Sequence, residues 1–112
     1  MLYIITGPAG VGKSTVASKI AELSNKCALI EGDDVYHLVK GGYVSPWKEG
    51  NHLNIFWKNS ISLIKNFLDN NYDVVFNYII KKDDLIKIQK EFKNQKIKFV
   101  LLIADKVTLI SR

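Results

Sequence analysis

The sequence predicts an α/β fold, a parallel sheet of four strands with helices on both faces. Three observations lead there. The first is Gly7-Pro8-Ala9-Gly10-Val11-Gly12-Lys13-Ser14, a complete G-x-x-x-x-G-K-[ST] loop between an apolar strand and a helix. The second is a set of four short, nearly continuous apolar runs, as expected for parallel strands covered on both sides. The third is helical periodicity in the gaps between them, the alternation that marks βαβ units.

Leu2 to Thr6 is the first strand, leading straight into the glycine loop. Ser14 to Leu23 carries Val16, Ala17, Ile20, Ala21 and Leu23 at helical spacing. Ala28 to Glu31 is the second strand. After it, Asp34 is expected to cap a short helix, Val35 to Val39, which leaves His37 on a helix surface. Lys40 to Gly50 contains Gly41-Gly42, Pro46 and two aromatics, and reads as a long loop. Asn51 to Leu68 is a long amphipathic helix with Trp57 on its apolar face. Val74 to Ile80 is the third strand. Asp83 to Phe92 is a helix with Asp83 as its N-cap candidate. Phe99 to Ala104 is the fourth strand, and Lys106 to Arg112 is expected to begin a further helix.

The chain has 112 residues, 47% hydrophobic and 24% charged, enough for one small globular domain. No apolar run has the length of a membrane span, and no membrane association is expected. The apolar start lacks a basic leader and a cleavage site, so it reads as a strand and not as a signal peptide. The lone Cys27 excludes an internal disulfide framework and, as a small apolar residue in a reducing compartment, points to the cytoplasm. Net charge is +5, yet the lysines are scattered and Arg112 is the only arginine. That pattern describes a solvated lysine face and argues against nucleic acid as the partner.

The glycine loop has a mechanical meaning. Its glycines let backbone N–H groups of Gly7, Ala9, Gly10, Val11 and Gly12, and on into Lys13, Ser14 and Thr15, curl toward one phosphate group. The helix that follows adds the positive end of its dipole. Lys13 can reach the outer phosphates and the Ser14 hydroxyl can ligate magnesium. A simple turn between strand and helix would leave Lys13 and Ser14 unexplained. The loop therefore predicts a bound nucleoside triphosphate, ATP or alternatively GTP, with Mg2+. Beyond the second strand, Glu31-Gly32-Asp33-Asp34 lies at the same edge of the sheet. A carboxylate there can help hold a metal, or accept the proton of an attacking hydroxyl. Asn77 stands where a strand-ending Asp is often found, so metal binding is expected to rest on Ser14, Glu31 and Asp33. Tyr43, Trp47 and Lys48, in the irregular loop, are candidates for a stacking wall and an ion-pairing group toward an acceptor. An equally weighted alternative has Trp47 plugging the loop onto the core.

Gly7 to Thr15, with the Glu31-Gly32-Asp33 close of the second strand, resembles the small P-loop kinases. These include shikimate kinase, gluconate kinase, adenylylsulfate kinase and chloramphenicol phosphotransferase. The resemblance implies a P-loop NTPase fold with strand order 2-3-1-4. It implies an ATP-dependent kinase that phosphorylates a hydroxyl of a small molecule, with Lys13 and Asp33 in catalysis and Glu31 near the metal. In that family the chain continues into an arginine-bearing lid, a fifth strand and a last helix. Residues 1–112 are thus expected to be a single kinase-like domain, incomplete at the C-terminus, whose bare fourth strand invites self-association. Two alternatives stay open: a nucleotide-binding module without chemistry, and a nucleic-acid 5′-end kinase.

Overall fold

In the computed structural model the described residues are 1–8, 12–103 and 106–111, the last of these segments as backbone. The elements in order are β1 (Leu2–Thr6), α1 (Lys13–Leu23), β2 (Cys27–Glu31), α2 (Gly32–Tyr36), α3 (His52–Asp69), β3 (Asp73–Asn77), α4 (Lys82–Glu91), β4 (Ile97–Ile103) and β5 (Lys106–Ser111). They build one sheet of order β2-β3-β1-β4-β5. The first four strands run parallel in the predicted order.

The fifth strand corrects the sequence reading. Residues 106–111 form no helix but pair antiparallel with β4, from Ile103 opposite Lys106 to Lys98 opposite Ser111. Val107, Thr108 and Ile110 are β-branched, which favours extended backbone, and the helical pattern assigned to this short stretch was too brief to outweigh it. β4 is therefore an interior strand. The bare edge that suggested self-association is covered, and the outer strands are β2 and β5. Ala104, Asp105 and Arg112 lie outside the described residues.

Alternation along each strand sorts side chains into two cores. Leu2, Ile4, Val74, Phe76 and Phe99 face one layer, with Phe56, Trp57, Ile64, Ile88 and Phe92 from α3 and α4 and its margin. Ile5, Val75, Val100 and Leu102 face the other, closed by Ala17 with Val16, Ile20 and Ala21 of α1. Trp57 is core, as its place on the apolar stripe of α3 predicts. Each layer explains why the strands are apolar at consecutive positions: both faces of the sheet are dry.

Element ends shift for physical reasons. α2 begins at Gly32, directly after β2, so Asp33 and Asp34 occupy its first turn and Glu31 its cap position. Acidic residues suit that end of a helix. Asp34 is therefore no cap, and His37, exposed as expected, stands at the end of the helix as its C-cap. α4 is entered through Lys81, whose backbone N–H donates to the Asp84 carboxylate at 3.0 Å, so Asp83 lies inside the helix.

Two predictions follow from the packing. Ser60 is fully buried on α3 and its hydroxyl has no hydrogen-bond partner. Removing an unmet polar group relieves its desolvation cost, so Ser60→Ala is expected to leave stability unchanged or raise it by about 1 kcal/mol, read from urea unfolding. Asp73 accepts a hydrogen bond from Ser24 Oγ at 2.7 Å and faces the Met1 ammonium at 3.2 Å. The Ser24 hydrogen bond, then the ammonium, hold its carboxyl below the ordinary 3.8. A carboxyl lowered in the folded state adds stability above its unfolded value, and that stability drains away as pH falls through the folded one. Between pH 6 and pH 2, the urea midpoint of Asp73→Asn should fall less than that of the native chain.

Candidate functional site

Strand register builds the site. Glu31 of β2 and Ile5 of β1 both pair with Asn77 of β3, so the carboxyl ends of three neighbouring strands are level. Gly7 leaves β1 at this edge with φ +147°, where a Cβ would sit 2.5 Å from the Leu102 carbonyl oxygen. Gly12 enters α1 with φ +85°, in the left-handed region that suits glycine. The Leu2–Thr6 strand and the Lys13–Leu23 helix thus flank the loop as the sequence predicts. Ala9, Gly10 and Val11 lie outside the described residues.

The sequence-predicted residues meet in part. Ser14 Oγ donates to Glu31 Oε2 at 3.4 Å. The Asn77 amide donates to the same oxygen at 2.8 Å and to Ser14 Oγ at 3.3 Å. Asn77 is 5% exposed and its Oδ1 has no hydrogen-bond partner. Lys13 turns its amine onto the Pro8 carbonyl at 3.2 Å, within reach of the loop. Gly12, Lys13, Ser14, Thr15, Asp33, Asn77 and Ile79 line one open cleft of about 270 Å³. Asp33 therefore shares the cleft with the loop lysine. Its carboxylate makes no hydrogen bond to Ser14 or Asn77, although all three line the cleft.

Behind Asp33 stands Tyr78. The segment after β3 is held across the sheet edge by two bonds, Tyr78 N–H to Ile5 O at 3.1 Å and Ile80 N–H to Thr6 Oγ1 at 2.8 Å. This lays the Tyr78 ring against Gly32, where a Cβ would meet ring atoms at 2.6–2.7 Å. Burial, and next the Asp33 charge, push the phenol up to about 12, so near neutrality it stays protonated and keeps its O–H as a donor. Sequence reasoning passed over Tyr78 as a strand residue. The signal was present in Gly32, a residue without a side chain at a tight strand-to-helix junction.

A metal would find hard oxygen donors here: the Ser14 hydroxyl, the Glu31 carboxylate and the unpartnered Asn77 carbonyl. That chemistry suits magnesium, which takes few protein ligands and keeps water and phosphate as the rest. Among the described residues there is no group of three His, Cys, Asp or Glu side chains for an all-protein cage. The arrangement therefore fits a cation carried in with an anionic ligand.

Of the loop candidates, Tyr43 faces a second cavity, of about 320 Å³, between α2, residues 37–51 and α3. Trp47 is 82% exposed, neither plugging the core nor lining either cavity, and Lys48 also lies outside both. Beside Tyr43 the cavity is walled by His52 and by Val35, Tyr36, Ile55 and Phe56, the last four of which the sequence reading assigned to helices without a role. Their helical spacing on α3 was legible, but the gap between α2 and α3 was not. No helix among the described residues is long and apolar enough to cross a membrane.

Gly32→Ala tests the Tyr78 contact. It should displace the ring, lower stability by about 1–3 kcal/mol in urea unfolding, and bring the phenol titration down toward its ordinary 10.

Comparison with known proteins places this geometry. Two solved structures share the fold. The first, titled as the structure of the Pnkp1/Rnl/Hen1 RNA repair complex, superposes with a TM-score of 0.73 at 19% identity, over 90% of this chain and 32% of that one. The second, of the Pnkp1/Rnl/Hen1 complex, gives a TM-score of 0.75 at 17% identity, over 91% of this chain and 35% of that one. This chain thus spans about a third of the length of those chains. No curated protein matches the sequence. The sequence matches the family AAA_18, described as an AAA domain, over residues 4–112, and the chain belongs to that family.

Proposed function

We propose that the chain is an ATP-dependent kinase domain that transfers the γ-phosphoryl group to a hydroxyl of a small molecule. The observation that carries this is the convergence of Lys13, Ser14 and Asp33 on one cleft at the N-terminus of α1. Backbone N–H groups at the start of α1 and the Lys13 ammonium hold the phosphates, the loop supplying the remaining amides. Ser14, Glu31 and Asn77 hold magnesium, which when bound offsets charge on the phosphate oxygens. Asp33 is placed to receive the proton of the acceptor hydroxyl. As that oxygen forms its bond to the γ-phosphorus, the bond from phosphorus to the bridging oxygen breaks. The electron pair leaves with ADP, and the proton passes to Asp33 and then to solvent. The Tyr78 ring packs on Gly32, the residue before Asp33. Membership of the AAA_18 family and the P-loop architecture support the reading.

A second reading, in which the acceptor is the 5′-hydroxyl of a nucleic acid, is favoured by the RNA repair complexes among the fold neighbours and by the net charge of +5. The two differ in their response to salt, because binding a polyanion releases counterions.

Lys13→Ala should lose most of its affinity for magnesium ATP by calorimetry with an unchanged circular dichroism spectrum. Unchanged affinity would overturn the proposal. Asp33→Asn should slow transfer of labelled γ-phosphate about a hundred- to ten-thousand-fold while ATP affinity barely changes. Damage from Asp34→Asn with a mild Asp33→Asn would move the base to Asp34. Binding without transfer to any alcohol or oligonucleotide would reduce the chain to a nucleotide-binding module.

A further inference from the structure

The cavity between α2 and α3 differs in character from the phosphate cleft, and α2 is the wall they share. Asp33 faces the cleft. Tyr36, three residues on and so on a neighbouring strip of the same helix face, lines the cavity. The Tyr36 hydroxyl donates to the Val44 carbonyl and ties residues 43–44 to α2. Tyr43 is then held edge-on to Tyr36, with ring centroids 5.7 Å apart, and stacked on His37 at 5.6 Å. The cavity, about 320 Å³, falls at the lower end of the roughly 300–1,000 Å³ typical of small-molecule sites.

Its walls are apolar and unfinished. Eleven large hydrophobic side chains are exposed among the described residues, and four of them, Leu38, Val39, Tyr43 and Ile55, line this one cavity. His52 adds a ring nitrogen, Nε2, that is buried without a hydrogen-bond partner. The charge pattern is the telling feature. The chain carries sixteen basic residues and a net charge of +5, yet among the described residues no lysine or arginine lines the cavity, and Glu49 is the one carboxylate that does. Lys40 lines a separate shallow depression beside His37, Val39 and Tyr43.

We propose that this cavity receives the ring of the phosphoryl acceptor, and that Glu49 makes it select uncharged or cationic ring-bearing alcohols over anionic ones. The inference rests on the kinase reading and narrows its substrate class. A ring seated against Leu38, Val39, Tyr43 and Ile55 buries apolar area that now faces water. The acceptor hydroxyl then lies toward Asp33 on the shared wall. A carboxylate or phosphate on the end of the acceptor that enters the cavity would meet the Glu49 charge with no lysine or arginine among the described lining residues to offset it, whereas an ammonium would be attracted.

The test uses three probes of nearly equal shape, the neutral tyrosol, the cationic tyramine and the anionic para-hydroxyphenylacetate, titrated into the full chain and followed by amide NMR. Shifts should centre on Tyr43, Ile55 and Phe56. Tyramine and tyrosol should bind at least about tenfold more tightly than para-hydroxyphenylacetate, which opposing charges at close range readily produce. Glu49→Lys, a substitution at an exposed position, should reverse the order of the two charged probes. Ile55→Ser, also at an exposed position, should weaken all three, and Lys13→Ala should change none of them. Tightest binding by para-hydroxyphenylacetate, an order that ignores Glu49→Lys, shifts centred elsewhere, or no saturable binding would each overturn the inference. So would a 5′-hydroxyl oligonucleotide shifting these resonances where tyrosol does not. If the charge order holds while Lys13→Ala leaves ATP affinity intact, the kinase reading fails and the selectivity of the cavity stands. If the ATP result holds and the charge order does not reverse, the selectivity alone fails.

Discussion

The Asn77 amide ties together the edge of the sheet on which the site depends. It donates at 2.8 Å to Glu31 and at 3.3 Å to Ser14, joining the ends of β2 and β3 to the first turn of α1. A hydrogen bond to a charged acceptor contributes about 1.5–3 kcal/mol, more than a neutral one. The bonding is possible because parallel pairing sets Glu31 and Asn77 side by side, at one level of the sheet. A one-residue slip of β3 would turn Asn77 to the opposite face and break the group apart. The same slip would exchange Val74 and Phe76 for Val75 between the two cores, so packing on both faces enforces the register that the site needs.

Most of this was legible in the sequence, and the reasons are particular. The glycine loop is a local device: its function follows from residue types at fixed spacing, so Lys13 and Ser14 could be placed from the motif alone. The four parallel strands were visible because both their faces are buried, which makes them apolar at consecutive positions. Trp57 could be assigned to the core from helical spacing. The trio of Ser14, Glu31 and Asn77 was half legible, since the motif and the strand-ending acid were read but Asn77 was weighed as a departure and not as a partner.

What the sequence left hidden depends on juxtaposition. Tyr78 and Gly32 are far apart along the chain, and only the closeness of ring to backbone explains the glycine. The cavity between α2 and α3 takes walls from both helices and from the segment between them, so no single stretch carries its signature. Trp47 shows the reverse case: an aromatic in a loop suggests a stacking wall or a plug on the core, and at 82% exposure it plugs nothing and lines neither cavity. β5 was missed because six residues give too few repeats to separate a helix period from a strand period, and because its pairing partner, β4, decides the outcome.

Electrostatics give the arrangement its last constraint. Among the described residues lining the phosphate cleft, Lys13 is the one cation, and Asp33 lies in the same cleft with Glu31 at its edge. For a triphosphate alone this is a poor bargain, since one ammonium faces several phosphate charges while two carboxylates repel them. The α1 terminus supplies only about half a positive charge. A divalent cation entering with the phosphates would change the balance, because its two charges would offset the carboxylates and the Ser14, Glu31 and Asn77 oxygens could hold it. The proposed donor is then the magnesium complex and not the free nucleotide. The basic residues that give the chain its +5 lie largely elsewhere. They can steer an anionic donor toward the protein from a distance. On the proposed reading, the two cavities would divide the reaction's charges between them: the anionic donor at the loop, and beyond α2 a wall whose carboxylate, Glu49, would turn further anions away.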